Sequence, residues 1–388
     1  KNVEKKPSIK NIQQLLETSD NDFKYVTDYA NDVKSQMHGS DITFVVNRNI
    51  NYTNICSFKC NFCAFSKGRG HDDLRGKPYN ISREEIIRRT NEAVARGATE
   101  VCLQGGIHPK YSGETYLDIV RAIRSASSSI HIHAFSPLEI DHGRKTLNIS
   151  AKEFLVELKK AGLNSLPGTA AEILHDEIRA IICPDKLTTK QWIEIIETAH
   201  SVGLPTTSTM MFGHIEKTAH VAHHLLELLN LQKKTNGITE FVPLPFVADE
   251  APIFRRGQAR PGPTFKETIL VHSVARILFQ GQINNIQGSW VKMGLPGLKF
   301  LLSSGINDIG GVLMNESITR SAGASFGQEL RLEEVEGIVN ELGLNLQQRN
   351  TLYDSLNSNL RDLITLQSIP LTPINNDYHQ PKKLINIT

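Results

Sequence analysis

Three cysteines fall within eight residues, in the string Cys56-Ser-Phe-Lys-Cys60-Asn-Phe-Cys63, while Cys102 and Cys183 stand alone. An odd total and tight clustering describe a set of metal ligands, not a disulfide framework. A structural zinc site needs a fourth Cys or His at matching distance, usually in a second pair, and no such pair lies at that distance from the loop. Ferredoxin-type ligation also needs four thiolates. Three thiolates at gaps of four and three can hold three corners of a 4Fe-4S cubane and leave one iron open. An open iron can chelate the amino and carboxylate groups of S-adenosylmethionine (SAM), so that one electron cleaves the bond to the 5′ carbon. The protein would then position and shield a radical whose chemistry belongs to the cofactor. A zinc loop and a disordered reactive loop are the competing readings. Phe62 either lies beside the adenine or packs the loop. Gly105-Gly106 either lets the backbone approach the methionine end of SAM or merely makes a turn.

Such a loop needs a frame. From Asp41 onward, short apolar or β-branched runs alternate with amphipathic stretches. The runs are 42–46, 99–104, 129–135, 163–166, 205–212, 239–246, 284–290 and 307–314. Between them lie helix candidates such as SREEIIRRTNEAVARG, opened by Ser82 with Glu85 as a capping box and closed by Gly97. Eight repeats of this kind imply an α/β fold, a parallel (β/α)8 barrel of the TIM type, with a doubly wound open sheet as its rival. The barrel is favoured because nearly every run ends in a Gly, Pro, His or polar cluster, and a barrel gathers those loops at one rim. Residues 1–40 read as an N-terminal helical extension, 41–345 as the barrel and 346–388 as a C-terminal extension, irregular from about Gln367.

The composition is 39% hydrophobic and 22% charged with a formal net charge of +2, which offers no electrostatic argument for nucleic acid or membrane. No run approaches the length of a membrane span, and the first residues lack the apolar core of a secretory signal, so a cytoplasmic location is expected.

The strings FVVNRNINYTNIC, CNFCAF, LQGGIHP, HAFSPLEI, PTTSTMMFGH and LMNESITR, spread over roughly residues 40–355, resemble the radical SAM superfamily, in the subgroup of the CofH, MqnE and MqnC enzymes. The likeness is strongest to the CofH family, through SLPGTAAEILHDEIRAIICPDKL, TEFVPLPFVADEAPIFRRGQARPGPTF and SWVKMG. That resemblance implies a radical SAM transferase that joins the 4-hydroxybenzyl group of L-tyrosine to 5-amino-6-(D-ribitylamino)uracil and releases 2-iminoacetate, in deazaflavin (FO, coenzyme F-420) biosynthesis. It also implies a CofG-type partner subunit and an electron donor such as ferredoxin or flavodoxin. Two departures from the wider superfamily stand out. Gly105-Gly106-Ile107-His108 replaces the usual GGE, and no second cluster motif follows. A menaquinone-pathway enzyme of the MqnE or MqnC type is the alternative inside the subgroup, and a non-enzymatic iron–sulfur or zinc protein the alternative outside it.

The implied reaction makes demands on side chains. The tyrosine ammonium must lose a proton before its N–H is abstracted, and His108, His133 and His214 are candidate bases, since histidine titrates near neutrality. Uracil and a ribityl chain ask for neutral donors and acceptors, and a carboxylate asks for a cation. Glu139, Glu240, Gln287, Lys292, Asn315, Glu316 and Arg320 lie at or just beyond expected strand ends, as substrate contacts or as solvated rim residues. Arg255, Arg256 and Arg260 sit in a Pro/Gly-rich loop that either closes over substrates or faces solvent.

Overall fold

The computed structural model describes residues 7–67, 77–324, 326 and 329–377. The first six residues of the expected N-terminal extension and the last eleven of the C-terminal one lie outside these. The strands are β1 (Asp41–Val45), β2 (Asn47–Ile50), β3 (Glu100–Leu103), β4 (His131–Ala134), β5 (Thr206–Phe212), β6 (Ile238–Pro245), β7 (Asp308–Gly311) and β8 (Asn345–Gln348). Every strand pair is parallel, in the orders β7-β1-β8, β2-β3-β4 and β5-β6.

Single parallel bridges join these groups into a ring: His133 to Ser165, Leu166 to Thr206, Phe241 to Ile286, Gln287 to Asp308, and Arg48 to Met314. Eight staves result, as the alternation of the sequence predicts, and β8 lies beside β1 as an additional strand. The first expected run is one stave made of β1 and β2. The runs at 163–166 and 284–290 contribute only bridging residues. Pro167 has no N–H for a ladder, and the backbone of β5 crosses so close that a Cβ on Gly168 would lie 2.2 Å from the Thr207 carbonyl oxygen.

The crossover helices cover the outside and start where polar caps allow. Ser136, Ser150, Thr188 and Thr264 each close a capping box with the residue three positions on. Ser82 does accept from the Glu85 N–H at 3.2 Å, but the Glu85 carboxylate turns to Arg88 and Arg89 instead of completing the expected box. Two further helices, Ile9–Leu16 and Asp20–His38, precede the barrel and pack on the outer helices Thr218–Thr235 and Phe265–Phe279. Residues 368–377 run without a regular element, yet Arg89 fastens them by donating to the Asn375 carbonyl and Asn376 Oδ1, both at 2.9 Å.

Candidate active site

The cysteine loop leaves β2 and is fixed from three directions. Ser57 N donates to the Ile107 carbonyl at 2.9 Å and Ile107 N to Cys56 Sγ at 3.3 Å. Asn61 N donates to the Ile182 carbonyl at 2.8 Å, and Lys59 N to Asp185 Oδ2 at 2.9 Å. Ile253 N then donates to the Asn61 carbonyl at 2.7 Å, with Arg256 reaching Asn61 Oδ1 at 2.9 Å. Gly105 and Gly106 are what allow this approach. A Cβ at Gly106 would sit 2.3 Å from the Ile55 carbonyl oxygen, and one at Gly105 would sit 2.4 Å from the Tyr52 ring.

Cys56, Cys60 and Cys63 all border one cavity of about 260 Å³, together with Phe58, Phe62, Gly105 and Gly106. Among the described residues, His175, Glu177 and His220 form the one group of three ligand side chains whose donor atoms all lie within 4.8 Å of one another. The three thiols are spread wider than that, whereas thiolates around a single tetrahedral zinc, with bonds of about 2.3 Å, lie about 4 Å apart. Burial pushes the Cys60 and Cys63 thiols above their ordinary pKa. Buried thiols of this kind become thiolates when a metal supplies the compensating charge. The donor set thus fits an iron–sulfur cluster held at three corners.

Below the thiols the lumen is layered. Side chains alternate along each strand, so inward positions step down the barrel axis. Met211, Thr209 and Thr207 descend along β5, and Leu244, Val242 and Glu240 along β6. The upper members border the cysteine cavity and the lower ones a second cavity of about 240 Å³. Gln104, Thr169, Thr209, Leu244 and Lys292 border both, forming a neck. The Lys292 ammonium has no hydrogen-bond or ion-pair partner among the described residues. Burial lowers its pKa to about 8, with Glu316 and Glu172 working the other way.

Two acidic groups are fixed by their neighbours. Glu139 accepts from Ser136 N at 2.7 Å, from Ser136 Oγ at 2.6 Å and from the Tyr52 hydroxyl, while burial raises its pKa. At the floor Arg349 grips Asp308 with two bonds, 2.5 and 2.9 Å, and reaches Glu240 Oε2 at 3.3 Å. The Tyr353 hydroxyl also donates to Glu240 Oε2. Burial raises the Glu240 pKa to about 7 despite Arg349.

Of the residues singled out in the sequence, Cys56, Cys60, Cys63, Phe62, Gly105, Gly106 and Glu139 border the upper cavity, Glu240, Gln287, Glu316 and His133 the lower, and Lys292 both. His108 borders neither; its ring stacks on Tyr111 at 4.9 Å. His214 is buried, its Nδ1 accepting from Ile215 N at 2.8 Å and its Nε2 donating to the Met211 carbonyl at 3.1 Å. His133 contacts Ser165 Oγ at 2.7 Å, and burial lowers its pKa. Asn315 accepts from Arg48 at 2.7 Å outside both cavities, and Arg320 is exposed. Arg255 pairs with Glu250, and Arg260 with Glu267 and Glu216. The loop after β6 therefore braces the cysteine loop.

Sequence reasoning missed Lys186, Glu172, Tyr52 and Arg349. Lys186 pairs with Glu172 at 2.7 Å and lies over the Phe62 ring at 5.1 Å. Burial opposes its charge, but Cys60 and Glu172 hold its pKa well above the ordinary lysine value. No local pattern marks it; the loop after the helix Asp176–Ile182 carries it back to the cavity.

The chain matches the model of the radical SAM superfamily over residues 50–229 and that of the CofH/MqnC C-terminal region over residues 235–361. It is 45% identical over 339 residues to the 5-amino-6-(D-ribitylamino)uracil--L-tyrosine 4-hydroxyphenyl transferase of Methanothermobacter thermautotrophicus, covering 87% of this chain and 91% of that one. The protein of the same name from Methanocaldococcus jannaschii is 45% identical over 356 residues, 91% of this chain and 98% of that one. FO synthase of Mycobacterium leprae is 47% identical over 328 residues, and there the match covers 84% of this chain but 38% of the longer protein. In fold the chain is similar to methylornithine synthase (PylB), with a TM-score of 0.69 at 15% identity over 94% of this chain and 97% of that one. The hydrogenase maturase HydG from Carboxydothermus hydrogenoformans gives 0.68 at 14% identity over 90% and 78%. The chain belongs to the radical SAM superfamily, within the family of 5-amino-6-(D-ribitylamino)uracil--L-tyrosine 4-hydroxyphenyl transferases.

Proposed function

We propose that the chain joins the 4-hydroxybenzyl group of L-tyrosine to 5-amino-6-(D-ribitylamino)uracil, with 2-iminoacetate as the other product. The observation that carries this reading is a set of three thiols at one end of a cavity that continues, through a neck with an unpaired ammonium, into a polar lumen. Cys56, Cys60 and Cys63 would hold the cluster, which with SAM bound would supply the 5′-deoxyadenosyl radical.

The remaining work belongs to this chain's side chains. Phe62 and the backbone at Gly105-Gly106 border the place a nucleoside would occupy, and Lys186 puts a cation beside Cys60. Lys292 offers its ammonium to the tyrosine carboxylate, a charge-assisted contact in a site with little water to compete. The apolar wall of Leu138, Leu244 and Ile318 takes the phenol ring and keeps water from a radical. Deprotonation of the tyrosine amine falls to an acceptor at this level of the lumen. Glu139 borders the cavity there, whereas His108 and His214 do not. A CofG-type subunit and a one-electron donor complete the proposed setting.

The test is anaerobic turnover of the reconstituted protein with SAM, tyrosine and the diaminouracil, read by mass spectrometry. The expected product is the hydroxybenzyl adduct. Consumption of a futalosine-type substrate with no such adduct would move the chain to the menaquinone-pathway alternative.

A further inference from the structure

Resting on the function just proposed, we infer that the lower cavity is the seat of the ribityl chain of the diaminouracil, that Glu240 and Asn49 read its hydroxyls, and that the floor at Arg349 excludes a phosphorylated chain end.

Chemistry sets the direction in which the pyrimidine lies. Its reacting carbon must meet the benzyl fragment beside the thiols, so the polyol on the neighbouring ring position needs a space that opens off that one, and the neck leads to it. The lower cavity is the space on that side. Its lining is made for hydroxyl groups. Glu240 commits Oε2 to Arg349 and Tyr353, and among the described residues nothing donates to its Oε1. A carboxylate oxygen left over in a cavity is a strong acceptor for an O–H. Asn49 also borders the space, and its Oδ1 is buried with no hydrogen-bond partner among the described residues. A buried acceptor without a donor is costly, and it is tolerated where a ligand supplies one.

The floor carries the second half of the inference. Arg349 and Thr351 follow β8 and close the cavity from below. Arg349 is the cation at that depth, and its guanidinium is already taken by Asp308 and Glu240. Glu100 and Glu240 stand around it. A neutral chain end meets acceptors there, whereas a phosphate dianion would be buried against carboxylates, with Arg349 already paired and the unpaired Lys292 up at the neck.

The experiment is initial-rate kinetics of the reconstituted holoenzyme, with adduct read by mass spectrometry, on three pyrimidines: the ribitylamino compound, its terminal phosphate ester, and 5,6-diaminouracil without a chain. Glu240→Gln and Asn49→Ala are compared with the unmodified protein. Each variant is expected to raise KM for the ribitylamino compound by roughly tenfold, the effect of one lost hydrogen bond to a charged or buried group, and KM for tyrosine by less than about twofold. On the chainless pyrimidine the variants and the unmodified protein converge, as a double-mutant cycle requires of a direct contact. The phosphate ester is expected to turn over at least roughly tenfold less efficiently. Equal losses with and without the chain, a parallel rise in the tyrosine KM, or ready use of the ester would overturn the assignment. Failure of the unmodified protein to form any adduct, with calorimetry still showing Glu240-dependent binding of the ribitylamino compound, would sink the reaction and keep the cavity; absence of both would sink both.

Discussion

A half-buried lysine ammonium at a neck, with no partner among the described residues, opposes folding while it stays charged. For Lys292 the folded-state pKa, about 8, is below the ordinary 10.5. The unfolded chain therefore holds the extra proton between those two values. The stability penalty is fully present below about pH 8 and is relieved as pH rises toward 10.5. Lys292→Met should accordingly melt at a higher temperature than the unmodified protein at pH 7, with the gap closing above pH 8, while its KM for tyrosine rises by roughly tenfold or more through the lost charge-assisted contact. The free enzyme's kcat/KM for tyrosine should fall above about pH 8 on a limb that Lys292→Met lacks. A variant that is less stable at pH 7 and unchanged in its tyrosine KM would show that the ammonium serves packing. At the cysteines, alanine at 56, 60 or 63 should abolish cluster absorbance, whereas Cys102→Ser and Cys183→Ser keep it; a brown Cys60→Ala protein would remove that residue from the ligand set. The thiols were legible because their spacing is local. Lys186 and Arg349 were not, because long-range folding brings each to its cavity from a segment with no signature of its own.

Elements decide whether those residues meet. The cysteine loop fits only because the segment after β3 presents two glycines to it. Gly106→Ala puts a Cβ against backbone at 2.3 Å, where no rotamer change gives relief. The expected result is a folded barrel that assembles less cluster, measured as iron and sulfide per chain; full loading would show that the loop can shift at little cost. At the opposite end, β8 and the residues after it seal the barrel. Arg349→Met would leave Asp308, fully buried, and Glu240 without their cation, a loss of about 3–5 kcal/mol for a broken buried pair. Chemical unfolding followed by circular dichroism checks this, and a change below about 1 kcal/mol would mean that water reaches the floor. The eight-fold alternation and most helix starts could be read in the sequence, since both are written in short-range pattern. β8 could not, because Asn345-Leu-Gln-Gln is a strand only by virtue of pairing with β1. The same logic shortened the expected runs at 163–166 and 284–290, whose neighbours leave room for a bridge and no ladder.

At the scale of the molecule the barrel is a tube with a reactive mouth, a charged neck and a polar floor, plugged by its own C-terminal segment. No helix among the described residues is long and apolar enough to cross a membrane. One proposed property of the mouth matters most: three thiolates would leave a coordination position open to the amino and carboxylate groups of SAM. Electron–nuclear double resonance on the reduced, reconstituted protein, with SAM isotopically labelled at the carboxylate, reads that position directly. Hyperfine coupling between the cluster and the labelled carboxylate is the predicted result. A spectrum unchanged by SAM, with every iron already ligated by the protein, would contradict it.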